Sequence, residues 1–112
     1  MQITDLELNE QHALGGLIRM MIRSDGDFTE EEEDKVNAIG ERIGGQALIW
    51  RTISASAQAC QTDEQIRATV PAVTRPAARE LILSVLEQVA GADGLAASEA
   101  ELIDWVRQSW GA

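Results

Sequence analysis

The chain has 112 residues, of which 45% are hydrophobic, and its 19 acidic and 9 basic side chains give a net charge of −10. A chain of this length forms one domain, residues 1–112, and the lack of a Lys or Arg cluster argues against nucleic acid or anionic membranes as partners. The single cysteine, Cys60, excludes an internal disulfide and predicts a cytoplasmic protein, while the longest apolar stretch, 13–22, is too short to insert across a bilayer.

Composition and hydrophobic spacing predict an all-α fold of about six helices. Proline is scarce and good helix formers dominate. Apolar residues three and four positions apart place the helices at residues 5–23, 30–43, 46–59, 63–69, 76–90 and 99–110. Four predicted capping boxes, each a hydroxyl residue with a Glu or Gln three positions later, support these starts: Thr4 with Glu7, Thr29 with Glu32, Thr62 with Gln65, and Ser98 with Glu101.

Pairs of glycines mark two features of the predicted helices. Gly15 and Gly16 lie inside the first helix, where each glycine costs roughly 1 kcal/mol of helix propensity. We therefore expect another helix to pack closely at this point. Gly44 and Gly45 follow the second helix and are predicted to end it.

Two stretches of the chain repeat one turn pattern. Residues 24–32 read Ser-Asp-Gly-Asp-Phe-Thr-Glu-Glu-Glu, and residues 92–101 read Ala-Asp-Gly-Leu-Ala-Ala-Ser-Glu-Ala-Glu. In both, an Asp-Gly pair suited to a helix end precedes a hydroxyl residue and a Glu three positions further. Asp93 follows Asp25 by 68 positions, and the second turn is one residue longer between its aspartate and its hydroxyl residue. The sequence therefore predicts two copies of one helix–turn–helix unit.

This doubled pattern, with an apolar helix before each Asp-Gly pair and an acidic helix after it, resembles the TerB-like family of tellurite-resistance proteins over residues 13–110. The resemblance implies a compact all-α domain whose halves are related by a pseudo-twofold axis. It also implies a bacterial, cytoplasmic, non-catalytic domain linked to tellurite and stress resistance, which binds divalent metal or associates with a membrane complex. The family's acidic positions correspond to Asp25 and Glu32 in the first copy and to Asp93 in the second. The position seven after Asp93 is Ala100, and Glu101 takes the capping role, so a symmetric site is not expected.

Metal binding is one interpretation of the acidic turns. The predicted ligands are Asp25, Asp27, Glu32 and Asp93, because carboxylate oxygens suit Ca²⁺ or Mg²⁺ rather than Zn²⁺. The alternative is that the aspartates bond local backbone amides as turn residues, while the glutamates cap a helix or remain solvated.

Enzymatic activity is not predicted. His12 and Cys60 are the only residues of their types, 48 positions apart, and no third group that would orient them is identifiable. With no strands predicted, there is also no strand followed by a glycine-rich phosphate loop.

Tryptophan placement gives the alternative function. Trp50 and Trp110 fall on the predicted inward faces of their helices, whereas Trp105 falls off that face. Exposed tryptophan is typical of protein interfaces, which favours binding of an unknown protein partner or homodimerisation without a metal site. The other interpretation is that Trp105 covers an edge of the core.

Overall fold

The computed structural model describes residues 1–23, 30–90 and 97–111 and shows an all-α fold within them. A 3₁₀ turn at Ile3–Asp5 precedes six helices, which are α1 (Leu8–Arg23), α2 (Glu30–Ile43), α3 (Gln46–Ala59), α4 (Asp63–Thr69), α5 (Pro76–Ala90) and α6 (Ala97–Ser109). The predicted fold class and the predicted bounds of α2 to α5 are confirmed. In the part of the chain so described, no helix combines the length and the apolar character needed to cross a membrane.

The first helix begins later than the sequence pattern predicts. The capping box of Thr4 with Glu7 is wrong, because the Glu7 N–H donates to the carboxylate of Glu10 at 2.7 Å. The 3₁₀ turn that precedes α1 places both Ile3 and Leu6 in the core. Burial of these two apolar side chains therefore accounts for the interruption of the helix, since it removes apolar surface from water.

The central helix is α1, which packs against α3, α4 and α5. Its two glycines lie where these neighbours approach most closely. A Cβ at Gly15 would be 2.7 Å from the carbonyl oxygen of Thr52, and a Cβ at Gly16 would be 2.8 Å from Cγ2 of Ile66. The prediction that these glycines admit another helix is confirmed, and two helices, α3 and α4, make the approach.

Gly44 and Gly45 end α2, as predicted. Their φ angles are 147° and 116°, in a region that residues with a side chain rarely adopt. The Gly45 N–H donates to the carbonyl of Gly40 at 2.6 Å, which closes the last turn. The chain then reverses into α3, and α2 packs on both α3 and α5.

Buried positions show how the two halves correspond. Those of α1 recur in α5 at 68 positions further: Leu14 and Ile82, Leu17 and Val85, Ile18 and Leu86, Met21 and Val89. Those of α2 recur in α6, and directly after it, at 67 positions further: Glu32 and Glu99, Val36 and Ile103, Ile39 and Val106, Ile43 and Trp110. The offset between corresponding buried positions is therefore 68 residues for α1 and α5 and 67 residues for α2 and α6. The two Asp-Gly turns between these helices lie outside the described residues, so the longer second turn stays a prediction.

Candidate functional site

The predicted metal site falls mostly outside what the structure describes. Asp25, Asp27 and Asp93 lie outside the described residues, as do Thr29 and the glycines of both Asp-Gly turns. The remaining predicted ligand, Glu32, lies in the first turn of α2 and is 1% exposed. That these carboxylates share one site therefore stays a prediction.

Glu99 is the counterpart of Glu32 in the second copy. It is the third residue of α6, as Glu32 is the third residue of α2, and it is 3% exposed. Counting seven positions from Asp93 reaches Ala100 instead, whereas burial matches Glu99 to Glu32. The sequence signal that identifies Glu99 is its spacing from the next core residue. It precedes the buried Ile103 by four residues, just as Glu32 precedes the buried Val36.

A third buried glutamate, Glu10, lies in the first turn of α1 and shows a structural use of such a residue. It accepts from Nε of Arg75 at 2.9 Å and pairs with the Nη2 group of the same guanidinium, which also donates to the carbonyl of Asp5 at 2.9 Å. The hydrogen bond from Arg75 lowers the pKa of the Glu10 carboxyl, against the opposing effect of burial. This contact joins the connection before α5 to the start of α1, and sequence reasoning missed it.

The described residues do not by themselves assemble a metal centre. Within the three described ranges, no group of three or more His, Cys, Asp or Glu side chains is placed to hold a metal ion. The donor chemistry of Glu32 and Glu99 nevertheless fits Ca²⁺ or Mg²⁺, since both offer carboxylate oxygens. Further oxygen ligands would have to come from elsewhere, including the aspartates of the two turns.

His12 and Cys60 have contacts typical of structural residues. His12 is half-buried on α1, and its carbonyl accepts from Oγ of Ser56 at 3.1 Å. Cys60 is buried directly after α3, and its carbonyl accepts from Nη1 of Arg19 at 3.1 Å. These contacts run through backbone carbonyls, which leaves the two side chains without an assigned chemical role.

A groove of about 520 Å³ lies between α1, α4 and α6, and we call it the Trp105 groove. Trp105 is half-buried and packs against the core, which agrees with the interpretation that it covers an edge of the core. Cζ of Arg67 lies 4.5 Å from the centroid of its ring. Glu101 is exposed and lines the same groove. The predicted capping box of Ser98 with Glu101 stays a prediction, because the side chain of Ser98 lies outside what the structure describes. The other lining residues are Met20, Arg23, Asp63 and Leu102.

The other two tryptophans donate hydrogen bonds within the protein. Trp110 is buried, as predicted, and its Nε1 donates to the carbonyl of Val70 at 2.7 Å. Trp50 is half-buried rather than fully inward, because its Nε1 donates to Oδ1 of Asn37 at 2.6 Å at the edge of the core. Of the three indole rings, the ring of Trp105 is the one that lines this groove.

The TerB-like resemblance rests on the residues quoted for it and stays a prediction. Comparison of the chain with protein-family models, with curated proteins and with solved structures found no match.

Proposed function

We propose that this chain is a non-catalytic, cytoplasmic TerB-like domain, associated with tellurite or stress resistance, that binds a divalent cation weakly. The observation that carries the proposal is the equivalent placement of two buried carboxylates. Glu32 and Glu99 both lie at the third position of a helix, are both almost fully buried, and both follow an Asp-Gly pair in the sequence. Glu10 is likewise the buried third residue of α1, where it accepts from the Glu7 N–H and pairs with Arg75, so this position alone fits helix capping. What favours a shared ligand for Glu32 and Glu99 is the Asp-Gly turn that precedes each of them.

The surrounding charge supports a hard cation as that ligand. The first turn of α2 carries four consecutive glutamates, from Glu30 to Glu33. Such a concentration of negative charge raises the local concentration of cations, and Ca²⁺ affinity rises with the number of charged ligands in a site. The helix dipole opposes cation binding, because the positive partial charge at the start of a helix attracts anions and repels cations. We therefore expect weak binding, and the aspartates of the turns would supply the remaining oxygen ligands.

Thermal unfolding with and without the cation tests this proposal. Protein treated with a chelator should melt at a higher temperature when Ca²⁺ or Mg²⁺ is added than in sodium chloride of equal ionic strength. A ligand present at 100 times its dissociation constant adds about 2.7 kcal/mol to the unfolding free energy, which raises the melting temperature of a domain this size by roughly ten degrees or more. The same melting temperature in all three salts would contradict cation binding.

Matched variants separate a ligand from a general effect of charge. We expect Glu32→Gln and Glu99→Gln to reduce the stabilisation by Ca²⁺ strongly. Glu33→Gln removes the same charge from an exposed position next to Glu32 and should leave the stabilisation almost unchanged. An equal reduction in all three variants would mean that Ca²⁺ screens the acidic surface and occupies no defined site.

A second candidate function is protein association through the Trp105 groove. The observation that favours it is a half-buried tryptophan that lines an open groove with charged residues around it, the surroundings typical of an interface anchor. This function predicts no response of the melting temperature to divalent cations. It predicts instead that binding of a protein partner changes the fluorescence of Trp105.

A further inference from the structure

Four charged residues line the Trp105 groove, and two of them form an ion pair with each other. Nη2 of Arg23 and Oδ1 of Asp63 are 2.7 Å apart, so these two side chains neutralise each other. Arg67 and Glu101 form no ion pair with any of the described residues. Among the residues that the structure describes, the groove therefore presents one cation and one anion that belong to no ion pair.

Trp105 lies next to both Arg67 and Glu101. The Arg67 guanidinium stacks on its ring from α4, and Glu101 precedes it by one turn on α6, where residues four apart share a helix face. A partner that complements this groove must offer an apolar contact for the indole, an anion for Arg67 and a cation for Glu101. The groove itself offers the same three groups.

We propose that the groove binds a second copy of this chain about a twofold axis that passes beside Trp105. In a twofold interface the same patch serves both subunits, so that residue i contacts residue j and j contacts i. Arg67 of each copy would then meet Glu101 of the other, and the two indole rings would form the apolar centre. This inference goes beyond the proposed cation binding and gives the second candidate function a defined partner.

The dimer should be weak and in exchange with monomer. Two chains that each carry a net charge of −10 repel one another, although at physiological ionic strength that repulsion is largely screened beyond about 8 Å. The groove involves few residues, and a small interface is typical of transient association. Trp and Arg near the centre of the patch are nevertheless the residues that most often dominate binding energy.

Sedimentation equilibrium over a wide range of protein concentration, with chelator present, tests the proposal independently of any cation. The wild-type chain should show a reversible monomer–dimer equilibrium. Arg67→Glu and Glu101→Arg each place like charges together twice in a twofold dimer and should each weaken association by about tenfold or more. The double variant Arg67→Glu/Glu101→Arg exchanges the two charges and should restore association to near the wild-type level.

The exposed Arg51 on α3 provides the matched control. Arg51→Glu changes the net charge as Arg67→Glu does, so the same loss of association in both would attribute the effect to overall repulsion and overturn the proposal. A wild-type chain that stays monomeric at every concentration, or a double variant that stays as weak as the single variants, would also overturn it. Circular dichroism of each variant establishes that the helices are intact, so that a folding defect is not mistaken for lost association.

Discussion

Replacing Gly15 with alanine should lower the unfolding free energy by about 1–3 kcal/mol, the usual range for overpacking a core. Alanine is the better helix former by about 1 kcal/mol, so local propensity alone predicts the opposite sign. The steric effect prevails because the new Cβ would lie 2.7 Å from the carbonyl oxygen of Thr52. That oxygen belongs to the backbone of α3, so relief requires the two helices to move apart. Urea denaturation of both proteins measures the difference.

Gly16→Ala and Ser54→Ala calibrate this result. A Cβ at Gly16 would meet Cγ2 of Ile66 at 2.8 Å, which is a side-chain atom that adjusts more easily than a backbone carbonyl, so we expect a smaller loss. Ser54 is an exposed residue of α3, where alanine should raise stability by a few tenths of a kcal/mol. If Gly15→Ala also raises stability, the close approach of α1 and α3 is wrong.

Local signals in the sequence account for most of the helix bounds. Thr62 and Gln65 form the predicted capping box, with the Gln65 N–H donating to Oγ1 of Thr62 at 3.2 Å and the Thr62 N–H donating to Oε1 of Gln65 at 3.3 Å. The glycines after α2 and Pro76 at the start of α5 also stand where their backbone preferences place them. Each of these signals involves residues at most a few positions apart, so a single sequence is sufficient to read them.

Features that depend on tertiary contacts have no local signal in the sequence. The contact of Glu10 with Arg75 joins residues 65 positions apart, and no local pattern reports it. Around α6, the capping pattern indicates Glu101 with Ser98, which stays a prediction, whereas the buried glutamate is Glu99, because the register of a helix is set by its apolar face against the core. The predicted ligands Asp25, Asp27 and Asp93 lie outside the described residues, so the metal site stays a prediction of the sequence.

Replacing Arg75 with methionine should destabilise the protein more at neutral pH than replacing Glu10 with glutamine does. Methionine retains the apolar stem of the arginine but removes its charge. In Arg75→Met, the Glu10 side chain, which is 1% exposed, remains a buried carboxylate without its cation. In Glu10→Gln, the Arg75 side chain, which is 40% exposed, can be solvated by water. For Glu10→Gln we expect a loss of about 1–3 kcal/mol, because hydrogen bonds to a charged group are weakened. Urea denaturation at neutral pH compares the two variants.

The contribution of Glu10 to the unfolding free energy should change with pH in opposite directions in the wild-type chain and in Arg75→Met. In the wild type, Arg75 holds the pKa of Glu10 below its ordinary value of 4.5. The resulting stabilisation is complete above that ordinary value and is lost as the pH falls through the lowered pKa. Without Arg75, burial becomes the largest influence and raises the pKa of Glu10. The penalty of the buried charge is then fully present at neutral pH and is relieved as the pH falls through the raised pKa.

Glu10→Gln should remove both of these dependences, because residue 10 no longer titrates. The unfolding free energies of Arg75→Met and Glu10→Gln should therefore converge when the pH is lowered to about 4, near the ordinary pKa of a glutamate. Arg51→Met removes one exposed positive charge from α3 and controls for the change in net charge, so it should follow the pH dependence of the wild type. If the difference between Arg75→Met and Glu10→Gln stays constant over this pH range, then Arg75 stabilises the start of α1 through its packing and its bond to the Asp5 carbonyl. The ion pair with Glu10 would in that case contribute little.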